Sequence, residues 1–230
     1  MYTTLKYIIT FPIWFVQAIL VKQRAIKLPE AAGTRMHQID DVPCVAVIGD
    51  SVAAGVGVED INSSLVGALK NKLMKLTTDN ISWYVYAKSG DKLKDLTAKL
   101  NDIDVQADYI VISIGVNDVT AFTSADKWQY TMRQLFQKLI TQSPNSKILL
   151  LAIPPMEQFP LLPNPLAKVL GSRSKKLNLV SEALCQKFHQ VSFMRVDIEA
   201  DESLFAIDGY HPSAKSCKML ANKIVDELLS

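Results

Sequence analysis

Cys44-Val45-Ala46-Val47-Ile48-Gly49-Asp50-Ser51 reads as a strand that runs straight into a tight turn. Its first five residues are apolar, lack polar alternation and include β-branched side chains, as expected of a strand covered on both faces. Gly-Asp-Ser then supplies turn chemistry at the carboxyl end. Similar short runs recur at 82–86, 109–114, 147–153 and 192–196. Between them, residues 65–76, 93–100, 127–141, 175–188 and 214–229 carry apolar side chains at three- and four-residue spacing, the pattern of helices with one buried face. Alternating strands and helices predict an α/β fold, a three-layer α/β/α sandwich around a five-stranded parallel sheet.

A chain of 230 residues has room for one well-filled core. Hydrophobic residues make up 49% and charged residues 21%, a globular composition. The 25 basic and 23 acidic residues nearly cancel and are spread along the chain, so nucleic acid is not an expected partner. Cys44, Cys185 and Cys217 are odd in number and lack C-x-x-C spacing. They read as free buried thiols, in keeping with a reducing compartment.

Extra apolar sequence sits at residues 7–21, an uncharged run between Lys6 and Lys22 that contains Pro12. It falls short of the ~20 apolar residues a spanning helix needs, unless the flanking lysines snorkel. Membrane association of this segment is the expectation, and a helix packed on the domain is the alternative. The basic stretch VKQRAIK follows where a signal cleavage site would need small residues. Lys22, Arg24, Lys27 and Arg35 outweigh Lys6, which by the positive-inside rule puts the main domain on the cytoplasmic side, with a periplasmic or secreted location as the alternative. The polar stretch 30–41 reads as a linker. The expected organisation is therefore 1–41 as segment and linker, and 42–230 as the main domain.

Sheets of this kind bind ligands beyond the carboxyl ends of their strands. Ser51 stands there, on an expected strand-to-helix turn, where a hydroxyl could sit beside free backbone N–H groups. Alone it fits a plain turn or a phosphate cradle equally, although no G-K-[ST] follows and glycines 49, 55 and 57 do not match G-x-G-x-x-G. Near the other end, Asp208-Gly209-Tyr210-His211-Pro212-Ser213 places a carboxylate and an imidazole in one loop. One turn would let Asp208 orient His211, which could otherwise be a capping or packing histidine. His37, in the linker, and His189, at a helix end, read as structural or solvent-facing. The Asn117 amide in Gly115-Val116-Asn117-Asp118 could donate to an oxyanion or simply form a turn. Gly90, in Lys88-Ser89-Gly90, permits close approach to a backbone N–H. Residues 154–171 hold five prolines with Met156, Phe159, Leu161 and Leu162, either part of an acyl-binding wall or a packed connection.

Taken in order, GDS at 49–51, Gly90, GVND at 115–118 and DGYHPS at 208–213 resemble the SGNH/GDSL hydrolases. The blocks span most of residues 44–213. The resemblance implies a flavodoxin-like sheet, with Ser51 as nucleophile and, through its N–H, first oxyanion donor. It implies Gly90 as second donor, the Asn117 side chain as third, and Asp208 with His211 as the rest of a triad. Ester hydrolysis through an acyl-enzyme follows, with no cofactor and no metal. Val52 replaces the family's leucine at a position without a chemical role. Ala53 stands where the G-x-S-x-G of α/β-hydrolases requires glycine. The implied substrate is a small-molecule or lipid ester, such as a lysophospholipid, monoacylglycerol or acyl thioester. Acetyl esters of carbohydrate remain open, as does a membrane-tethered binding protein that kept the fold.

Overall fold

The structure is a computed structural model that describes residues 10–77, 80–196 and 201–229; residues 7–9 of the expected N-terminal segment lie outside them. In chain order the elements are α1 (Phe11–Arg24), β1 (Met36–His37), β2 (Cys44–Gly49), α2 (Leu65–Thr77), β3 (Ser82–Ala87), α3 (Leu93–Lys99), β4 (Tyr109–Ser113), α4 (Val116–Thr120), α5 (Ala125–Gln142), β5 (Lys147–Leu151), α6 (Leu166–Cys185), β6 (Val191–Met194) and α7 (Ala214–Leu229). The sheet order is β1-β3-β2-β4-β5-β6, parallel throughout except where β1 meets β3.

Strand side chains alternate between two cores. Ala46, Ile48, Ile110, Ile112, Ile148 and Leu150 face the layer of α3, α5 and α6. Val45, Val47, Val111, Leu149 and Leu151 face the layer of α2 and α7. Each fully buried aliphatic side chain contributes about 1.5–3 kcal/mol, so both faces of the sheet are held by burial. Register then aligns the strand ends, with Gly49 of β2 beside Ala87 of β3 and Ser113 of β4. The turns that follow these three strands open on one edge.

Three differences from the sequence reading have physical causes. The sheet has six strands rather than five, because part of the stretch read as a linker covers the edge of β3. Met36 and His37 pair with Tyr84 and Trp83, the Val85 N–H donates to the Arg35 carbonyl at 2.8 Å, and the Ser82 hydroxyl donates to the Ile39 carbonyl at 2.9 Å. An uncovered edge would leave such backbone groups open to pairing with other chains. Second, α6 begins at Leu166, inside the stretch read as a loop. Its buried face runs on through Leu166, Val169, Leu170, Ser174, Leu177, Ser181 and Leu184. Pro163 and Pro165 just before Leu166 make this start read as loop, and further along the stripe Ser181 is buried with its hydroxyl accepting from the Trp128 indole N–H at 2.9 Å. Third, Ser51 opens a run of turns, not a helix, and α2 follows only at Leu65.

The N-terminal helix α1 lies on the domain surface. Gln17 donates to the Asn164 carbonyl at 2.7 Å and accepts from the Leu166 N–H at 3.1 Å, and Trp14 stacks on Phe122 with ring centroids 5.6 Å apart. No residue of α1 is fully buried, and Phe11, Ile13, Phe15, Val16, Ile19 and Leu20 are exposed. Among the described residues, no helix is long and apolar enough to cross a membrane.

Candidate active site

The loop that carries Asp208 and His211 is built by its own backbone. Phe205 bridges to Pro212 in antiparallel fashion, the Ala206 N–H donates to the His211 carbonyl at 2.7 Å, and the Gly209 N–H donates to the Ala206 carbonyl at 2.9 Å. Within that loop the Asp208 Oδ1 accepts from the Tyr210 and His211 N–H groups, each at 3.0 Å. Its Oδ2 takes the His211 ring Nδ1–H at 2.6 Å. Burial pushes the Asp208 carboxyl upward, but the His211 ring and the two backbone donors outweigh it and hold the group below its ordinary value. With Nδ1–H committed to Asp208, the lone pair of His211 lies on Nε2.

Ser51 is 8% exposed and lines, with His211, a cavity of about 110 Å³. The rest of the wall is largely apolar and includes Phe159, Leu204, Phe205 and Met219. Among the described residues no hydrogen bond joins Ser51 Oγ to His211. Contacts of this type are often loose before substrate arrives. Gly57 lets the two loops approach: its φ is +104°, and a Cβ there would stand 2.6 Å from the Pro212 carbonyl oxygen and 3.1 Å from the His211 Cβ. The sequence offered no particular signal for Gly57 beyond its residue type.

The two expected side donors are tied to each other. Asn117, in the first turn of α4, donates through Nδ2 to the Asp91 carbonyl at 3.0 Å. An amide has two such hydrogens, so this bond orients the group and leaves the second hydrogen free. Gly90 precedes Asp91 in a turn closed by the Asp91 N–H to the Lys88 carbonyl, has a φ of +88°, and faces open space. The turn is also held from the N-terminal side. Glu30 accepts from the Ser89 N–H at 2.6 Å and pairs with Arg35 at 2.8 Å, while Arg35 reaches the Ala87 carbonyl at 3.3 Å. Sequence reasoning missed this bracing, because Glu30 and Arg35 sit in a polar stretch with no periodicity.

Two buried carboxyls support the edge from behind. Asp118, read only as a turn residue, accepts from the Leu93 N–H at 2.8 Å and the Thr123 hydroxyl at 2.8 Å. Burial raises its pKa, partly offset by these donors. Asp50 is buried, accepts from the Val52 N–H at 3.2 Å, and has an Oδ2 without a partner among the described residues. Burial pushes its carboxyl from 3.8 to about 7, against the pull of the Val52 and Gly115 N–H groups and with help from the Asp118 and Asp91 charges. No group of three or more His, Cys, Asp or Glu side chains among the described residues could hold a metal.

The sequence model of the GDSL-like lipase/acylhydrolase family matches residues 47–218. The chain belongs to this family. Among solved structures, the GDSL-like fold found here is similar to that of the lipase Lip_vut3 from a goat rumen metagenome, with 20% identity, 80% of this chain and 97% of that one covered, and a TM-score of 0.63. It is also similar to Est24, a carbohydrate acetylesterase from Sinorhizobium meliloti, at 19% identity, 81% and 98% coverage and a TM-score of 0.60. An extracellular lipase from Streptomyces rimosus shares 15% identity over 81% of this chain and all 100% of its own, with a TM-score of 0.59. At these identities the likeness is one of fold. No curated protein matches the chain.

Proposed function

We propose that this GDSL-family chain is a serine carboxylic ester hydrolase working through Ser51, His211 and Asp208. The observation that carries the reading is the 2.6 Å bond from the His211 ring to Asp208, on a loop whose imidazole shares one apolar cavity with Ser51. Ser51 Oγ attacks the ester carbonyl while His211 Nε2 takes its proton. His211 then hands that proton to the departing alkoxide, and water releases the acyl group by the same route. The Ser51 and Gly90 N–H groups and the free Asn117 Nδ2–H are the donors for the oxyanion, where one well-placed donor is worth about 3–4 kcal/mol of transition-state stabilisation.

An apolar wall favours a hydrocarbon substituent over a sugar. Elsewhere an apolar cavity of about 150 Å³ takes a benzene-sized guest, so the cavity beside Ser51 suits an acyl or alkyl group of a few carbons. The exposed apolar face of α1, followed by Lys22 and Arg24, supports attachment to a membrane surface as part of this reading, with the hydrolase domain on the cytoplasmic side. A fluorophosphonate probe tests the chemistry. It should label the wild-type protein and leave Ser51→Ala unlabelled; equal labelling of both would overturn the assignment.

A further inference from the structure

His211 also lines a second and larger cavity. This groove, of about 490 Å³, runs between α1 and the body of the domain, and is lined by Ala18, Val21, Phe122, Leu161 and Leu166 as well as by His211. It is held open by fixed contacts. Gln17 ties α1 to the start of α6 through both atoms of its amide. Phe122 is clamped between Trp14 and the Arg173 guanidinium, which stands 4.4 Å from the ring centroid.

The Asp208 carboxylate in the groove wall is already committed, accepting three hydrogen bonds from its own loop. The rest of the lining is mostly hydrocarbon, with Lys22, Thr120, Tyr210 and His211 as its other polar side chains. An ester carbon at Ser51 carries two arms, and the small cavity beside Ser51 has room for only one of them. We propose that the groove under α1 takes the long alkyl chain of a lipid ester whose carbonyl is attacked by Ser51. The N-terminal helix is thereby a wall of the substrate site. This rests on the ester-hydrolase reading above and adds the class of substrate to it.

The long chain could be the acyl arm or the alkoxy arm, and the two are separable. In one series p-nitrophenyl butyrate is compared with p-nitrophenyl decanoate, in the other butyl acetate with decyl acetate, all below their critical micelle concentrations. Each methylene held in an apolar groove is worth roughly fourfold in binding. Wild type should therefore favour the longer ester in one of the series by more than tenfold in kcat/KM, and that series names the arm. Ala18→Trp and Ala25→Trp, both facing the groove, should abolish that preference. Val16→Trp, on the exposed side of α1, should keep it. Fluorophosphonate labelling of Ser51 and the thermal midpoint check each variant for an intact site.

A wild type without long-chain preference in either series overturns the groove assignment. So does a preference that survives both groove-filling variants, or one lost equally in Val16→Trp. Failure to hydrolyse any of the four esters, together with no fluorophosphonate labelling, would instead overturn the ester-hydrolase reading beneath it.

Discussion

Asp208 accepts more hydrogen bonds than orientation of one imidazole requires. Two come from backbone N–H groups of its own turn, so its position does not depend on the protonation of His211. Asp208→Asn should keep those two bonds through its amide oxygen, but would present an N–H to His211 Nδ1. The ring must then carry its proton on Nε2, facing Ser51, where a lone pair is needed. We expect kcat to fall by roughly 10⁴-fold with little change in thermal midpoint. Steady-state kinetics beside a melting curve checks this, and near-normal turnover would place the acid elsewhere. Residue types at this scale were legible in the sequence, since Ser51, Asn117 and the Asp208/His211 pair each follow a strand or precede a helix. Glu30 and Gly57 were not, because their roles are contacts with segments far along the chain.

Among the elements, α1 has the weakest hold on the fold. Its apolar residues are mostly exposed, and the Gln17 side chain makes its two hydrogen bonds to the start of α6. Neutral hydrogen bonds contribute about 0.5–1.5 kcal/mol each, enough to bias docking of a surface helix but little of the stability of the sheet. Gln17→Ala should therefore speed tryptic cleavage after Lys22 and Arg24 several-fold while the main thermal transition moves by no more than a few degrees. Unchanged cleavage would mean that Trp14 and Phe122 suffice to dock the helix. Strand and helix positions in the main domain were legible because their periodicity reports burial directly. The start of α6 and the edge strand β1 were not: one follows directly on a proline-rich stretch that reads as loop, and the other is too short to show any period.

For the whole molecule, the buried carboxyls give stability an unusual dependence on pH. Asp50 is pushed up to about 7 in the folded protein from 3.8. Between about pH 4 and 7 the unfolded chain has lost this proton while the native state keeps it, so stability falls as pH rises through that window and levels off above it. Asp118, also raised by burial, acts in the same direction. Asp208 is lowered and works the other way, its contribution present above the ordinary carboxyl value and lost only as pH falls through its folded value. At ~1.4 kcal/mol per unit of displacement, Asp50 alone accounts for a loss on the order of a few kcal/mol. Asp50→Asn should flatten the decline in urea midpoint between about pH 4 and 7; an unchanged slope would show that Asp50 is not its source. Local pattern alone carried the layered α/β architecture and pointed to Ser51, Asn117, Asp208 and His211 as candidates, since burial periodicity and turn chemistry are properties of neighbouring residues. Tertiary structure alone decided what braces the Gly90 turn, how closely the Ser51 and His211 loops approach, and that α1 walls a groove that His211 also lines. Those are contacts between segments distant along the chain, and no local pattern encodes which surfaces will meet.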